Sequence, residues 1–412
     1  MTDYNKFLSP TGRQLHESAI RRMGTVLAKA TDVVSFAAGY PDATMFPWND
    51  LREIASELLT GSDGTTLQYG PTRGYRPLLE AVIDVLTPRG ITAALEELIV
   101  TSGSQQGLDL VARVLISPGE AVLVELPAYT GAISAFKNMQ AELVGVRQDE
   151  DGINLDDLDA VCMRERKAGK RVNLLYLVPN FQNPAGLLLG LEKRQRLLEW
   201  AERRDMLIIE DDPYGVLYFD DVATEAETRP IKADDTRGRV IYLSTFSKTL
   251  APGFRVAWMA APAALIERFD AAKQSVDLTS GILDQRIVLE AVRRGVIDRI
   301  APQLRDLYRS KRDVMEKAIR EELGDRLTWP VPKGGFFLWA RLPEGYDDVG
   351  LLERALQQRL VFVIGSAFYV DGAGHDRIRL SFSAPSPERI REGVRRLAAV
   401  LKSAPVAVAA RA

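Results

Sequence analysis

Five apolar runs, interleaved with stretches of helical spacing, constrain this chain more than any other feature. They cover residues 121–125, 174–178, 206–210, 240–243 and 256–259. Strands that are apolar on both faces need cover on both faces, which describes a mostly parallel sheet sandwiched by helices. Helices around 129–140, 156–168 and 191–204 supply that cover. In such a sheet ligands collect outside the carboxyl ends of the strands. The residues just past each run are therefore where chemistry is expected.

The run at 240–243 leads into Ser244, Thr245, Phe246, Ser247 and Lys248, with Arg255 farther on. Burial at a strand end disfavours an ammonium ion and leaves an amine able to attack a carbonyl. The Thr245 and Ser247 hydroxyls and Arg255 would form an anion site beside it. A Schiff-base lysine next to a phosphate pocket is what pyridoxal phosphate requires. On the hexapeptide alone, a strand ending in a solvated lysine competes with that reading. Upstream, residues 97–107 read as a strand and a small-residue turn leading into a helix over 108–115, and the free amides at the helix start, with the Ser104 hydroxyl, offer a phosphate cradle, although many such turns bind nothing.

Other strand ends add polar groups. Tyr129 stands at a helix entrance, Asn183 lies in a long polar turn, and Asp211, Asp212 and Tyr214 follow the run at 206–210. A buried carboxylate needs a partner. A protonated pyridine nitrogen would serve Asp211 or Asp212, and capping a helix is the alternative for either. Asn183 and Tyr214 could each reach a phenolic oxygen on the same ring. Gly39, in a Gly-Tyr-Pro-Asp turn, either lets backbone approach a ligand or merely permits the turn.

At 412 residues the chain exceeds the usual size of one core, so two domains are expected. The assignment is an N-terminal arm over 1–50, a large domain over 51–300 and a smaller α+β domain over 301–412. Helices are expected over 11–30, 51–59 (capped by Asn49 or Asp50), 77–86, 302–323 and 387–401, with short strands over 360–364 and 377–382. His16 and His375 are the only histidines and Cys162 the only cysteine. That scarcity excludes a three-histidine metal centre and leaves acid–base work to lysine, tyrosine or carboxylate. With 53 basic and 56 acidic residues no basic face argues for nucleic acid. No apolar run reaches membrane-spanning length and no signal pattern opens the chain, so cytoplasm is the expected compartment.

In this order the parts resemble the fold-type-I pyridoxal-phosphate aminotransferases of class I/II, nearest to the 2-aminoadipate and kynurenine aminotransferase II group. The matching residues are 35–41, 68–71, 101–106, 179–186, 211–214, 244–248 with Arg255, and 379–382. The resemblance implies a mostly parallel sheet of the seven-stranded type plus a smaller α+β domain. It implies a ping-pong exchange through a Lys248 aldimine, moving an amino group from an L-amino acid to a 2-oxo acid, with 2-oxoglutarate expected. Asp211 would pair with the pyridine nitrogen, Asn183 and Tyr214 would hold the phenolic oxygen, and Tyr129 would stack on the ring. Ser104, Gln105, Thr245, Ser247 and Arg255 would surround the phosphate. Tyr69 would reach the neighbouring subunit's phosphate, making the active unit a homodimer with shared sites. Arg379 would clamp the substrate carboxylate. Gly39, Tyr40 and Arg21 would line the side-chain pocket, Arg21 from a mobile N-terminal helix and with Arg22 as its rival. Tyr40 departs from the aliphatic residue usual after that glycine, which leaves the preferred substrate open. Elimination, decarboxylation or oxidation on the same cofactor, and a cofactor-sensing regulator domain, are the competing functions.

Overall fold

The apolar runs assemble into one sheet. The computed structural model describes residues 2–14 and 32–402. Arg21, Arg22 and most of the helix expected over 11–30 lie outside the described residues. In chain order the elements begin with α1 (Pro10–Gln14), β1 (Val34–Ser35), α2 (Trp48–Thr60), α3 (Arg76–Leu86), β2 (Leu98–Ser102) and α4 (Ser104–Leu115). Then come β3 (Ala121–Leu126), α5 (Thr130–Asn138), β4 (Glu142–Asp149), β5 (Gly152–Ile153), α6 (Leu155–Lys167), β6 (Val172–Leu177), α7 (Leu191–Arg204), β7 (Leu207–Asp211), β8 (Val240–Thr245) and β9 (Val256–Ala260). The chain continues through α8 (Ala263–Gln274), α9 (Ile282–Arg293), α10 (Val296–Leu323), β10 (Phe337–Arg341), α11 (Asp348–Gln357), β11 (Leu360–Val361), β12 (Val363–Ile364), β13 (Arg377–Ser381) and α12 (Pro387–Lys402).

The main sheet has eight strands in the order β2-β9-β8-β7-β6-β3-β4-β5. From β8 to β4 all neighbours are parallel, whereas β9 runs antiparallel to both β8 and β2. The two-residue β5 adds an antiparallel edge to the seven strands that were expected. Alternation along each strand feeds two cores. In β6, Leu174 and Tyr176 pack with Leu108, Val111 and Phe136 on one face. Leu175 and Leu177 pack with Leu158, Leu197 and Trp200 on the other. Each fully buried aliphatic side chain contributes about 1.5–3 kcal/mol relative to exposure, which is what holds helices to both faces.

A second, antiparallel sheet of order β10-β13-β12 packs with α10, α11 and α12 around Phe336, Leu338, Leu380 and Leu397. Val34–Ser35 pairs in parallel with Leu360–Val361, tying the start of the chain to this late layer. Two boundaries differ from expectation. Helix α2 begins at Trp48, because Pro47 occupies the N-cap with φ −77°, and Asn49 and Asp50 fall inside its first turn. Helix α10 begins at Val296 and carries Pro302 within it. A proline so near the start costs one intrahelical bond and leaves the long amphipathic face of the helix intact.

Candidate active site

The carboxyl ends of β3, β6, β7 and β8 open toward the β10–β13 layer, and the expected polar residues gather there. Lys248 follows β8, partly buried, and its Nζ donates to the Gly39 carbonyl at 3.0 Å. The same nitrogen lies 5.5 Å from the Phe336 ring centre and 5.8 Å from that of Tyr214. Burial, with Arg379 and Arg255 nearby, lowers the lysine to about 8, Asp211 acting in the opposite direction. Burial thus brings the neutral amine within reach at mildly alkaline pH.

Asp211 ends β7 and is buried. Its Oδ2 accepts from the Tyr176 hydroxyl at 3.0 Å, while its Oδ1 is buried with no hydrogen-bond partner among the described residues. Burial pushes the carboxyl up to about 7, opposed by Tyr176 and Lys248 and reinforced by Asp212. Asp212 is engaged on both oxygens. Oδ1 accepts from Asn180 Nδ2 at 2.9 Å, and Oδ2 accepts from Arg89 Nη2 at 2.9 Å and the Tyr242 hydroxyl at 3.0 Å. No helix starts at either aspartate, so neither is a cap. Asp211 alone keeps an acceptor to offer.

The turn after β2 forms a cup. Gly103 has φ +81°, and a Cβ there would sit 2.0 Å from Arg255 Nη2, so only glycine lets the guanidinium lie against the backbone. Arg255 Nη2 donates to the Ser102 carbonyl at 3.2 Å. Ser104 Oγ opens α4, buried and without a hydrogen-bond partner among the described residues. Thr245 Oγ1 lies 2.9 Å from Ser247 Oγ and accepts from the Ser247 amide at 3.1 Å. Gln105 directs its side-chain amide to the Gly131 carbonyl at 2.9 Å. Beneath the cup, Ser102 Oγ and Gln106 Nε2 donate to Asp277 Oδ2 at 2.9 and 2.7 Å, and Lys273 Nζ donates to Asp277 Oδ1 at 2.6 Å.

Arg379, central in β13, is buried without a carboxylate partner among the described residues. Its Nη1 donates to Asn183 Oδ1 at 2.7 Å and its Nη2 to the Ala37 carbonyl. Its Nε has no hydrogen-bond partner among the described residues, and its Cζ lies 4.2 Å from the Phe337 ring centre. Burial lowers this guanidinium to about 10, with Tyr214 and Tyr129 working against the shift. An enclosed cation with a spare donor calls for an anion. Tyr214 is buried edge-on between Phe336 and Phe337 at 5.3 and 6.1 Å, its hydroxyl pushed well up by burial. Tyr129 precedes α5 as its N-cap residue and packs on the β3–β6 core.

Two expected residues stand apart from this cluster in the single chain. Tyr69 is 78% exposed, and Tyr40 is 67% exposed, its carbonyl accepting from Ser383 Oγ at 2.7 Å. Sequence reasoning passed over Tyr176 and Arg89. A tyrosine inside an apolar run reads as a β-former, and an arginine between two turns reads as solvated.

The family model for aminotransferase class I and II matches residues 31–397. Aromatic-amino-acid aminotransferase 1 of Thermococcus litoralis is 41% identical over 97% of this chain and 95% of its own length. The crystal structure of a multiple substrate aminotransferase from Thermococcus profundus superposes with a TM-score of 0.91 at 39% identity, covering 97% of this chain and 98% of that one. An alpha-aminoadipate aminotransferase from Thermus thermophilus, solved with N-(5'-phosphopyridoxyl)-L-leucine, superposes with a TM-score of 0.87 at 36% identity and the same coverage.

Proposed function

The chain belongs to the class I and II aminotransferases, and from that premise we propose how its own residues divide the work. It is a pyridoxal-phosphate-dependent aminotransferase, moving an amino group from an amino acid to a 2-oxo acid. The residues present suit the cofactor. Asp211 Oδ1 and Ser104 Oγ are buried without partners among the described residues, and the space over Gly103 admits no Cβ. The ring nitrogen would meet Asp211, with Asn183 and Tyr214 at the phenolic oxygen and Tyr129 on the ring face. The phosphate would sit among Ser104, Gln105, Thr245, Ser247 and Arg255. When bound, pyridoxal phosphate supplies a carbonyl that exchanges amino groups and a ring that takes up the electrons released at the substrate's Cα.

Lys248, whose pKa burial lowers to about 8, would accept the proton leaving Cα and deliver it to the carbon that carried the carbonyl. Arg379 would grip the α-carboxylate through its fork of donors, fixing which bond at Cα stands free to break. Asn183 would serve both, because Arg379 occupies its Oδ1 and leaves its amide hydrogens free to donate. Gly39 and Tyr40 would border the side-chain pocket, with Arg21 from the N-terminal segment. The exposed rings of Tyr69 and Tyr40 support a homodimer in which Tyr69 serves the neighbouring subunit's phosphate. We propose 2-oxoglutarate as the acceptor.

The observation that carries these assignments is that Lys248 and Arg379 are held by the carbonyls of Gly39 and Ala37, two residues apart, with Arg379 buried and without a carboxylate partner among the described residues. The test is a donor screen on purified protein with 2-oxoglutarate, following 2-oxo acid production. Product formation that needs the acceptor is expected. Ammonia release that proceeds without it would overturn transamination in favour of elimination.

A further inference from the structure

Asp211 is the one buried carboxylate at these strand ends with an unclaimed oxygen among the described residues, and one hydroxyl holds its other oxygen. We propose that Tyr176 is a positioning residue, fixing the Asp211 carboxylate so that Oδ1 faces the cofactor ring nitrogen. This rests on the cofactor assignment given above.

Tyr176 lies in β6, paired with Val124 of β3 and Ile209 of β7, and is 0% exposed. Its ring stands edge-on to Phe136 at 5.7 Å, which fixes the direction of its C–O bond. A hydroxyl so deep in an apolar sheet costs free energy unless it is bonded. Asp211 Oδ2 is the bond it makes. Burial holds the hydroxyl protonated, so it acts only as a donor to the carboxylate. A carboxylate held at one oxygen by a rigid donor has its second oxygen aimed, whereas an unheld aspartate can swing about two torsions. The donor also favours the charged form, and a charged carboxylate keeps a facing ring nitrogen protonated. The other titratable groups facing Asp211 are Asp212 beside it, Lys248 after β8, Glu125 on β3 and Tyr214 in the following turn. Lys248 is the only cation in that set, and it must be free to lose its charge. Tyr176 can support Asp211 without competing for the lysine's proton.

Tyr176→Phe keeps the ring and removes the donor. Full-length protein stripped of cofactor is titrated with pyridoxamine 5'-phosphate, which has no carbonyl to condense with Lys248. A parallel titration uses its 1-deaza analogue, in which carbon replaces the ring nitrogen. Wild type should prefer the nitrogen probe, and Tyr176→Phe should lower that preference about tenfold while leaving the deaza affinity unchanged. The ring-nitrogen NMR shift of 15N-labelled probe should move toward the unprotonated value in the variant. Equal loss for both probes, or an unchanged ratio, overturns the assignment and makes Tyr176 a packing residue. Wild-type protein that binds neither probe ends the cofactor reading and this inference together. If Tyr176→Phe loses its thermal unfolding transition, 3-fluorotyrosine at position 176 decides instead. Its more acidic hydroxyl should shift the ring-nitrogen signal further toward the protonated value, and an unchanged signal overturns the proposal.

Discussion

Lys248 and Asp211 are each displaced from their ordinary titration range by burial, and the displacements have opposite measurable consequences. Lys248 sits at about 8, so the rate at which cofactor-free protein takes up pyridoxal phosphate should rise with pH and reach half its plateau near 8. A rate still climbing steeply above pH 10 would contradict it. Replacing Lys248 with alanine should abolish turnover and leave the unfolding temperature near that of wild type. Asp211 is raised from 3.8 to about 7. Between those values the folded protein binds more protons than the unfolded chain, so cofactor-free stability falls as pH rises through that window. Asp211→Asn carries no such loss. Its unfolding temperature without cofactor should exceed that of wild type at pH 8, and the advantage should vanish near pH 4. Arg379→Ala should raise KM for every donor tested, because it acts on the shared carboxylate; a rise confined to one donor would make Arg379 a reader of side chains.

At the scale of elements, the β2–α4 turn depends on the segment following α8. Lys273 is 0% exposed and Asp277 is its partner. Truncating Asp277 to alanine would strand a buried ammonium, at a cost of about 3–5 kcal/mol. It would also release Ser102 and Gln106, which shape the cup. Lys273→Met, which removes the charge itself, should lower the unfolding midpoint less. Equal shifts would mean that Asp277 acts through packing alone. The elements were legible in sequence where burial on two faces forces largely apolar runs, as in β3, β6, β7 and β8. Lys248, Asn183 and Tyr214 were legible because polar groups just past buried strands need a reason, whereas Arg379, central in β13, was singled out only through the resemblance. From the residues alone Asp211 and Asp212 could not be told apart, and only the resemblance favoured Asp211 as the proposed partner of the ring nitrogen. In the structure Arg89, Asn180 and Tyr242 engage both oxygens of Asp212, and they come from positions distant from it in sequence. Pro302 misplaced the start of α10 because a proline is a common first residue of a helix, and only packing shows that this helix runs through it.

At the scale of the molecule, the proposed sharing of sites between subunits predicts complementation. Lys248→Ala and Tyr69→Ala homodimers should each be impaired. Mixed under conditions of subunit exchange, they should regain roughly a quarter of wild-type activity, since each hybrid dimer holds one intact site. No recovery, despite hybrids seen by mass spectrometry, would mean that Tyr69 serves its own chain. The order of synthesis adds something that the finished fold hides. Arg379 is anchored to the Ala37 carbonyl, 342 positions away, and Val34–Ser35 has no strand to join until Leu360–Val361 is made. On a ribosome the central sheet is translated well before that closure becomes possible. A nascent chain can therefore acquire the pocket proposed for its cofactor while still lacking the arginine grip proposed to tell an amino acid from any other amine.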